Sequence, residues 1–86
     1  MKYTVAYKPS AEQELAHYWM IAPNRAAVTD AANRLDHLLQ TAPHQQGESR
    51  EGLSRIMFER PLAAQFEIRD DDCLVEVLRI WWIGEK

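Results

Sequence analysis

A chain of 86 residues, 47% apolar and 27% charged, describes one globular domain over residues 1–86 with a single modest core, and excludes a second domain or a low-complexity chain. Ten Lys and Arg against thirteen Asp and Glu give a net charge of −3, too few cations for bulk attraction to nucleic acid, so phosphate binding would need a local cluster. Cys73 is the only cysteine, which excludes an intramolecular disulfide. With no apolar run long enough for a signal peptide or a membrane span, the expected location is the cytoplasm, without membrane contact.

The charge is not evenly spread. Residues 1–43 and 44–69 are each balanced, while residues 70–86 carry Arg79 and Lys86 against Asp70, Asp71, Asp72, Glu76 and Glu85. All the excess acidity therefore lies at one end.

In chain order, KYTVAYK alternates, with Tyr3, Val5 and Tyr7 on one side, and predicts a first strand. PSAEQEL opens a helix, with Ser10 as its cap and Gln13 three residues on, as in a capping box. Ala11, Leu15, Tyr18, Trp19 and Ala22 form its apolar face, and Pro23 stops it. A second helix starts near Pro23 or Asn24. Val28, Ala31, Leu35, Leu38 and Ala42 make its buried stripe and leave Asp30, Arg34 and His37 to solvent. The short connection predicts a helical hairpin.

After the loop HQQGESREG the period changes to two. LSRIMFE predicts a second strand, with Ile56 and Phe58 on one face and Arg55 and Met57 on the other. Glu59, Arg60 and Pro61 turn the chain into a third strand, where Leu62, Ala64, Phe66 and Ile68 face inward and Ala63, Gln65 and Glu67 outward. The three aspartates make a hairpin turn. CLVEVLRIWWI is apolar on both faces and predicts an interior strand. The fold class is α+β, in the order β-α-α-β-β-β, with the helical hairpin packed on one face of a small, mainly antiparallel, four-stranded sheet. The other face is expected to stay partly open and to carry Arg55, Met57, Gln65 and Glu67.

Arg50, Arg55, Arg60 and Arg79 are the candidate anion-binding cations, each weighed against pairing with a nearby acid. Arg79, among Val77, Leu78, Ile80 and Trp81, is costly to bury alone, so it is expected to have a carboxylate or phosphate partner or to sit at the open face. His44 precedes the Arg-rich segment and could reach the open face. No histidine pair has metal-ligand spacing, and neither a metal nor a cofactor is implied. Trp81 and Trp82 are adjacent on a strand, so only one can enter the core, and the other is a candidate interface anchor.

This ordered set resembles the RelE/ParE superfamily of toxins from bacterial type II toxin–antitoxin modules. The matching stretches are AEQELAHYW, APNRAAVTDAANRLDHLL, GESREGLSRIMF, PLAAQFEI and VEVLRIWW, which span most of the chain. The resemblance implies a toxin neutralised by a cognate antitoxin whose C-terminal segment wraps round it. Its own state, homodimer or hetero-oligomer with the antitoxin, is left open. RelE-like members cut mRNA on the ribosome, which makes translation the first target. ParE-like members inhibit DNA gyrase without nuclease activity, which is the alternative, together with a catalytically degenerate member that only forms complexes.

Cleavage by a 2′-hydroxyl attack needs cations at the phosphate and acid–base groups beside it. Carried over by position, Arg55 matches a basic position on the second strand; Arg79 and Arg50, from the anion-binding set, join it as candidate catalytic cations, and Arg60 and His44 are further anion-binding candidates. Trp81, Trp82, Met57 and Trp19 are the candidate antitoxin contacts. The chain departs from the cleaving pattern where Met57 and Ala63 stand at positions that are basic in cleaving members. After the last strand, WWIGEK offers only Lys86.

Overall fold

The computed structural model describes residues 2–49 and 52–85, so Arg50, Glu51 and Lys86 lie outside the described residues. Strand β1 (Thr4–Tyr7) leads into helix α1 (Pro9–Ile21) and helix α2 (Arg25–Thr41). A 3-10 turn, Pro43–Gln45, precedes the short strand β2 (Glu48–Ser49), β3 (Ser54–Glu59) and β4 (Leu62–Arg69). A second 3-10 turn over Asp70–Asp72 leads into β5 (Leu74–Trp82). The sheet order is β1-β5-β4-β3-β2, with β1 parallel to β5 and the other pairs antiparallel. The expected architecture is therefore present, with one strand more than expected: Glu48 and Ser49 pair with Ile56 and Arg55 inside what the sequence presents as loop. No helix of the described residues is long and apolar enough to cross a membrane.

Helix α1 begins one residue before the expected cap. Pro9 occupies its first turn and Lys8 is the N-cap, without a side-chain bond. Proline's fixed φ suits that position, where its missing N–H costs nothing. Ser10 lies inside the helix, and its hydroxyl instead donates to the Leu78 carbonyl at 3.3 Å. Asn24 caps α2 as expected, its side chain accepting from Ala27 N at 3.2 Å. Val28, Ala31 and Leu35 of the expected stripe are buried, and Leu39 rather than Ala42 completes it.

The core lies between the hairpin and one sheet face. Ala11, Val28, Ala31, Leu35 and Leu39 meet Met57, Leu62, Ala64, Phe66, Val75, Val77 and Ile80. Each large side chain buried there contributes about 1.5–3 kcal/mol.

The faces of β3 are the reverse of the expectation. Arg55 pairs with Phe66 and Met57 with Ala64, and both partners belong to the core, so Arg55 and Met57 lie on the helix side. Met57 is 3% exposed. Ile56 and Phe58 face the other way, and Phe58 is 58% exposed. Alternation separates two sets of side chains but does not say which set is inside, and here both sets are apolar enough to be either.

Strand β5 carries one extra residue. Phe66 pairs with Val77 and Gln65 with Arg79, which leaves Leu78 unpaired. Without this bulge, strict alternation from Val75 and Val77 would point Arg79 into the core. With it, Ile80 and Trp82 take the helix side and Arg79 escapes. The reverse face remains open, carrying Gln65, Glu67, Glu76, Arg69, Phe58 and Trp81.

Candidate functional site

The cations expected to form a site are held in three separate places. The first is the corner between α2 and β3. Pro43 ends α2, and Gly47, at φ +69°, reverses the chain so tightly that a Cβ there would lie 2.4 Å from the Ile56 carbonyl oxygen. Arg55 organises this corner. Its Nε donates to Gln46 O at 2.9 Å, Nη2 to Gly47 O at 3.2 Å and His44 O at 3.4 Å, and Nη1 to Ser49 Oγ at 3.4 Å. Its guanidinium fork is largely spent on the protein's own acceptors.

Beside it, Asp70 Oδ1 accepts from Tyr3 OH at 2.6 Å and pairs with His44 Nε2 at 2.7 Å. Those two hydrogen bonds, Tyr3's first, hold the Asp70 carboxyl below its ordinary value. The same bond raises the Tyr3 phenol. His44 therefore faces a carboxylate rather than an open surface. The shallow pocket between His44, Ser54, Arg55 and Asp70 measures about 230 Å³.

The second place is the free edge of β5. Strand β1 ends at Tyr7, opposite Val77, and α1 takes over the edge beyond it. Lys8 N donates to Val77 O at 2.9 Å, Ser10 reaches Leu78 O, and Glu14 Oε1 accepts from Ile80 N at 2.9 Å. Arg79 closes on the same carboxylate, with Nε at 2.9 Å and Nη2 at 2.8 Å from Glu14 Oε2. Of the two outcomes expected for Arg79, a partner or the open face, Glu14 supplies the partner, while the Arg79 side chain stays 59% exposed. Burial pushes the Glu14 carboxyl up, but the Arg79 hydrogen bond, the Ile80 N–H and the Arg79 charge together hold it below its ordinary value. Hydrogen bonding to Glu14 raises Arg79 in turn. Glu14 was legible in the sequence only as an acid near a helix start. Its role as an edge cap depends on where β1 stops.

The third place is the β3–β4 turn. Arg60 Nη1 reaches Gly84 O at 3.3 Å and Ile83 O at 3.5 Å, while Arg34 pairs with Glu59 at 2.6 Å and donates to Arg60 O at 3.1 Å. On the reverse face Arg69 sits between Glu76 at 3.3 Å and Glu67 at 3.8 Å. Arg55, Arg60 and Arg79 thus do not converge. Among the described residues no group of three or more His, Cys, Asp or Glu could hold a metal ion.

The tryptophans are surface groups. Trp82 is on the helix side past the end of the core, 37% exposed, with its ring 6.2 Å from Tyr18. Trp81 is half-buried on the reverse face, in a row with Ala63 and Phe58. Neither fills the core, a correction to the expectation that one would. Trp19 is 42% exposed, donates Nε1–H to Thr29 Oγ1 at 3.1 Å and carries the Arg25 guanidinium 4.8 Å above its ring. Met57, expected at a partner surface, is instead in the core. The surface signal that sequence reasoning missed is a groove of about 390 Å³ between α1 and α2.

Several solved structures share this arrangement. The chain is similar to the toxin–antitoxin complex RelBE2 from Mycobacterium tuberculosis, with a TM-score of 0.76 and 16% identity over 95% of this chain and 92% of that one. It is similar to the chromosomal ParDE system of P. aeruginosa, with a TM-score of 0.71 and 22% identity over 96% and 98% of the two chains. The isolated RelE toxin of E. coli gives a TM-score of 0.69 and 11% identity over 98% and 86%. The chain has the RelE/ParE toxin fold. No protein-family model and no curated protein sequence matches it. At these identities the likeness is one of backbone, so each role must be argued from this chain's own side chains.

Proposed function

We propose that this chain is the toxin component of a toxin–antitoxin pair, kept inactive by a protein antitoxin, and that it acts by binding a protein target rather than by cutting RNA. Its RelE/ParE fold supports the toxin role. One observation favours binding over cleavage: each described arginine is already engaged by an acceptor within the chain. Phosphodiester cleavage through a 2′-hydroxyl requires preorganised cations free to meet the developing negative charge. The open sheet face offers Glu67 and Glu76 beside Arg69, which repel a phosphate backbone. Inhibition of DNA gyrase asks only for a binding surface and is the target this geometry favours.

The test is induced expression followed by two assays on the purified chain. Growth arrest, blocked supercoiling by gyrase and intact mRNA in a translating extract are the expected results. Cleaved mRNA in that extract would overturn the binding mechanism, and unimpaired growth on expression would overturn the toxin role.

A further inference from the structure

We propose that the cavity between the end of α1 and Trp82 is a recognition site for a proline-bearing segment of another protein, bound in the polyproline II conformation. This goes beyond the toxin reading and does not depend on it.

The cavity measures about 370 Å³ and is lined by Tyr18, Ile21, Ala22, Pro23 and Trp82. That volume is in the range of small binding sites. No charged side chain lines it, so charge does not choose the occupant. Two aromatic rings form one wall. The Tyr18 and Trp82 centroids lie 6.2 Å apart and the rings are tilted by 37°, which presents two adjacent faces at an angle. Each ring also carries a donor. The Tyr18 hydroxyl and the Trp82 indole N–H make no hydrogen bond among the described residues, whereas Tyr3, Tyr7 and Trp19 each spend theirs on an oxygen of the chain.

Paired aromatic faces with unspent donors select one kind of ligand. A polyproline II segment has no internal hydrogen bonds, so its carbonyls are free to accept. Its proline rings are apolar and its φ is fixed in advance, so it loses little freedom on docking. It advances about 3.1 Å per residue, so the 6.2 Å between the rings corresponds to about two residues. A helix leaves carbonyls open only in its last turn. A strand turns its carbonyls to a neighbouring strand rather than to side chains. Docking of proline-rich segments against aromatic-lined grooves is a recurrent mode of peptide recognition.

The site is built before a ligand arrives. Ala22 N closes the end of α1 on Tyr18 O at 2.9 Å, and the φ of Pro23 is fixed by its ring. Trp82 pairs with Leu62 in the sheet. Ile83 N donates to Pro61 O at 2.8 Å, and Arg60 holds the carbonyls of Ile83 and Gly84. These bonds tie the segment after β5 to the β3–β4 turn, and none of residues 83–85 lines the cavity.

The experiment titrates the isotope-labelled full chain with two synthetic peptides of about nine residues, three turns of polyproline II. The first repeats Pro-Pro-Leu. The second keeps the leucines and replaces every proline by alanine. Only the first should shift the amides of Ala22 and Trp82. It should also move the Trp82 indole N–H resonance downfield as that group gains an acceptor, and leave the indoles of Trp19 and Trp81 in place. Tyr18→Phe keeps the ring and removes the hydroxyl, and Trp82→Phe keeps a ring and removes the N–H. Neither group has a partner in the chain to lose, so both variants should keep the parent spectrum. Tyr18→Phe should weaken binding about fivefold, the equivalent of one neutral hydrogen bond at about 1 kcal/mol, and Trp82→Phe at least as much.

Equal binding of the alanine peptide, no indole shift at millimolar proline peptide, or full affinity in Tyr18→Phe would each overturn the proposal. So would Trp82 shifts on concentrating the protein alone, because a second copy would then fill the cavity. Growth arrest without peptide binding would overturn the site and leave the toxin reading. Peptide binding with unimpaired growth would support the site and remove the toxin reading.

Discussion

Arg55 was the leading catalytic candidate, and its geometry assigns it a different task that can be measured. In Arg55→Ala the corner at residues 44–49 loses four hydrogen bonds. The Nε bond to Gln46 O is short, at 2.9 Å, and partly buried. It is worth about 1 kcal/mol net, toward the upper side because the donor is charged. The other three, at 3.2–3.4 Å and exposed, contribute a few tenths each. The sum is about 2 kcal/mol, a large share of the stability of a chain this small. At the thermal midpoint it corresponds to roughly 8–16 °C. Arg55→Lys keeps the charge but has one donor nitrogen in place of three, and should lose about 1–1.5 kcal/mol. Urea unfolding followed by tryptophan fluorescence measures both, with an unchanged m-value showing that only stability has moved. If both variants unfold within about 0.5 kcal/mol of the parent, Arg55 is not the organiser of the corner, and the argument against its availability to an anion fails with it.

Gly47→Ala should cost more than either, about 3 kcal/mol, because it adds left-handed strain to a collision with the β3 backbone, and equilibrium unfolding would show it. Asp70→Asn tests the clasp with Tyr3 and His44. The folded Asp70 carboxyl lies below its ordinary 3.8, so the parent's advantage over the variant should be full above that value and vanish as pH falls through the lower folded one. An advantage that persisted in stronger acid would contradict the sign. Glu14→Ala removes both the acceptor for Ile80 N and the charge facing Arg79. It should accelerate amide exchange at Ile80 and shift the Arg79 side-chain resonances, and an unchanged exchange rate would dismiss Glu14 as the edge cap. Trp82→Ala should weaken antitoxin binding by more than about 1 kcal/mol while leaving the fold intact, and an unchanged titration would remove Trp82 from the interface.

Some of this molecule follows from the chain alone. Apolar residues three and four apart in α2, alternation in β4, Asn24 before a helix and three aspartates at a turn are local signals, and local physics reads them correctly. The expectation that Arg79 takes either an acid or the open face is of the same kind, because an arginine is costly to leave both buried and unpaired whatever the fold. The identity of that acid was beyond reach: Glu14 is 65 residues away, and only the early end of β1 brings α1 to the edge of β5. The inside of β3 was equally hidden. Ile56 with Phe58 and Arg55 with Met57 are both reasonable inner faces, and the choice was made by register against Phe66 and Ala64 on the next strand. Register is a relation between segments, and pairing energies between segments have no expression in the pattern of either one. The same reason puts Arg55, Arg60 and Arg79, candidates for one site in the sequence, in three unconnected places in the folded chain.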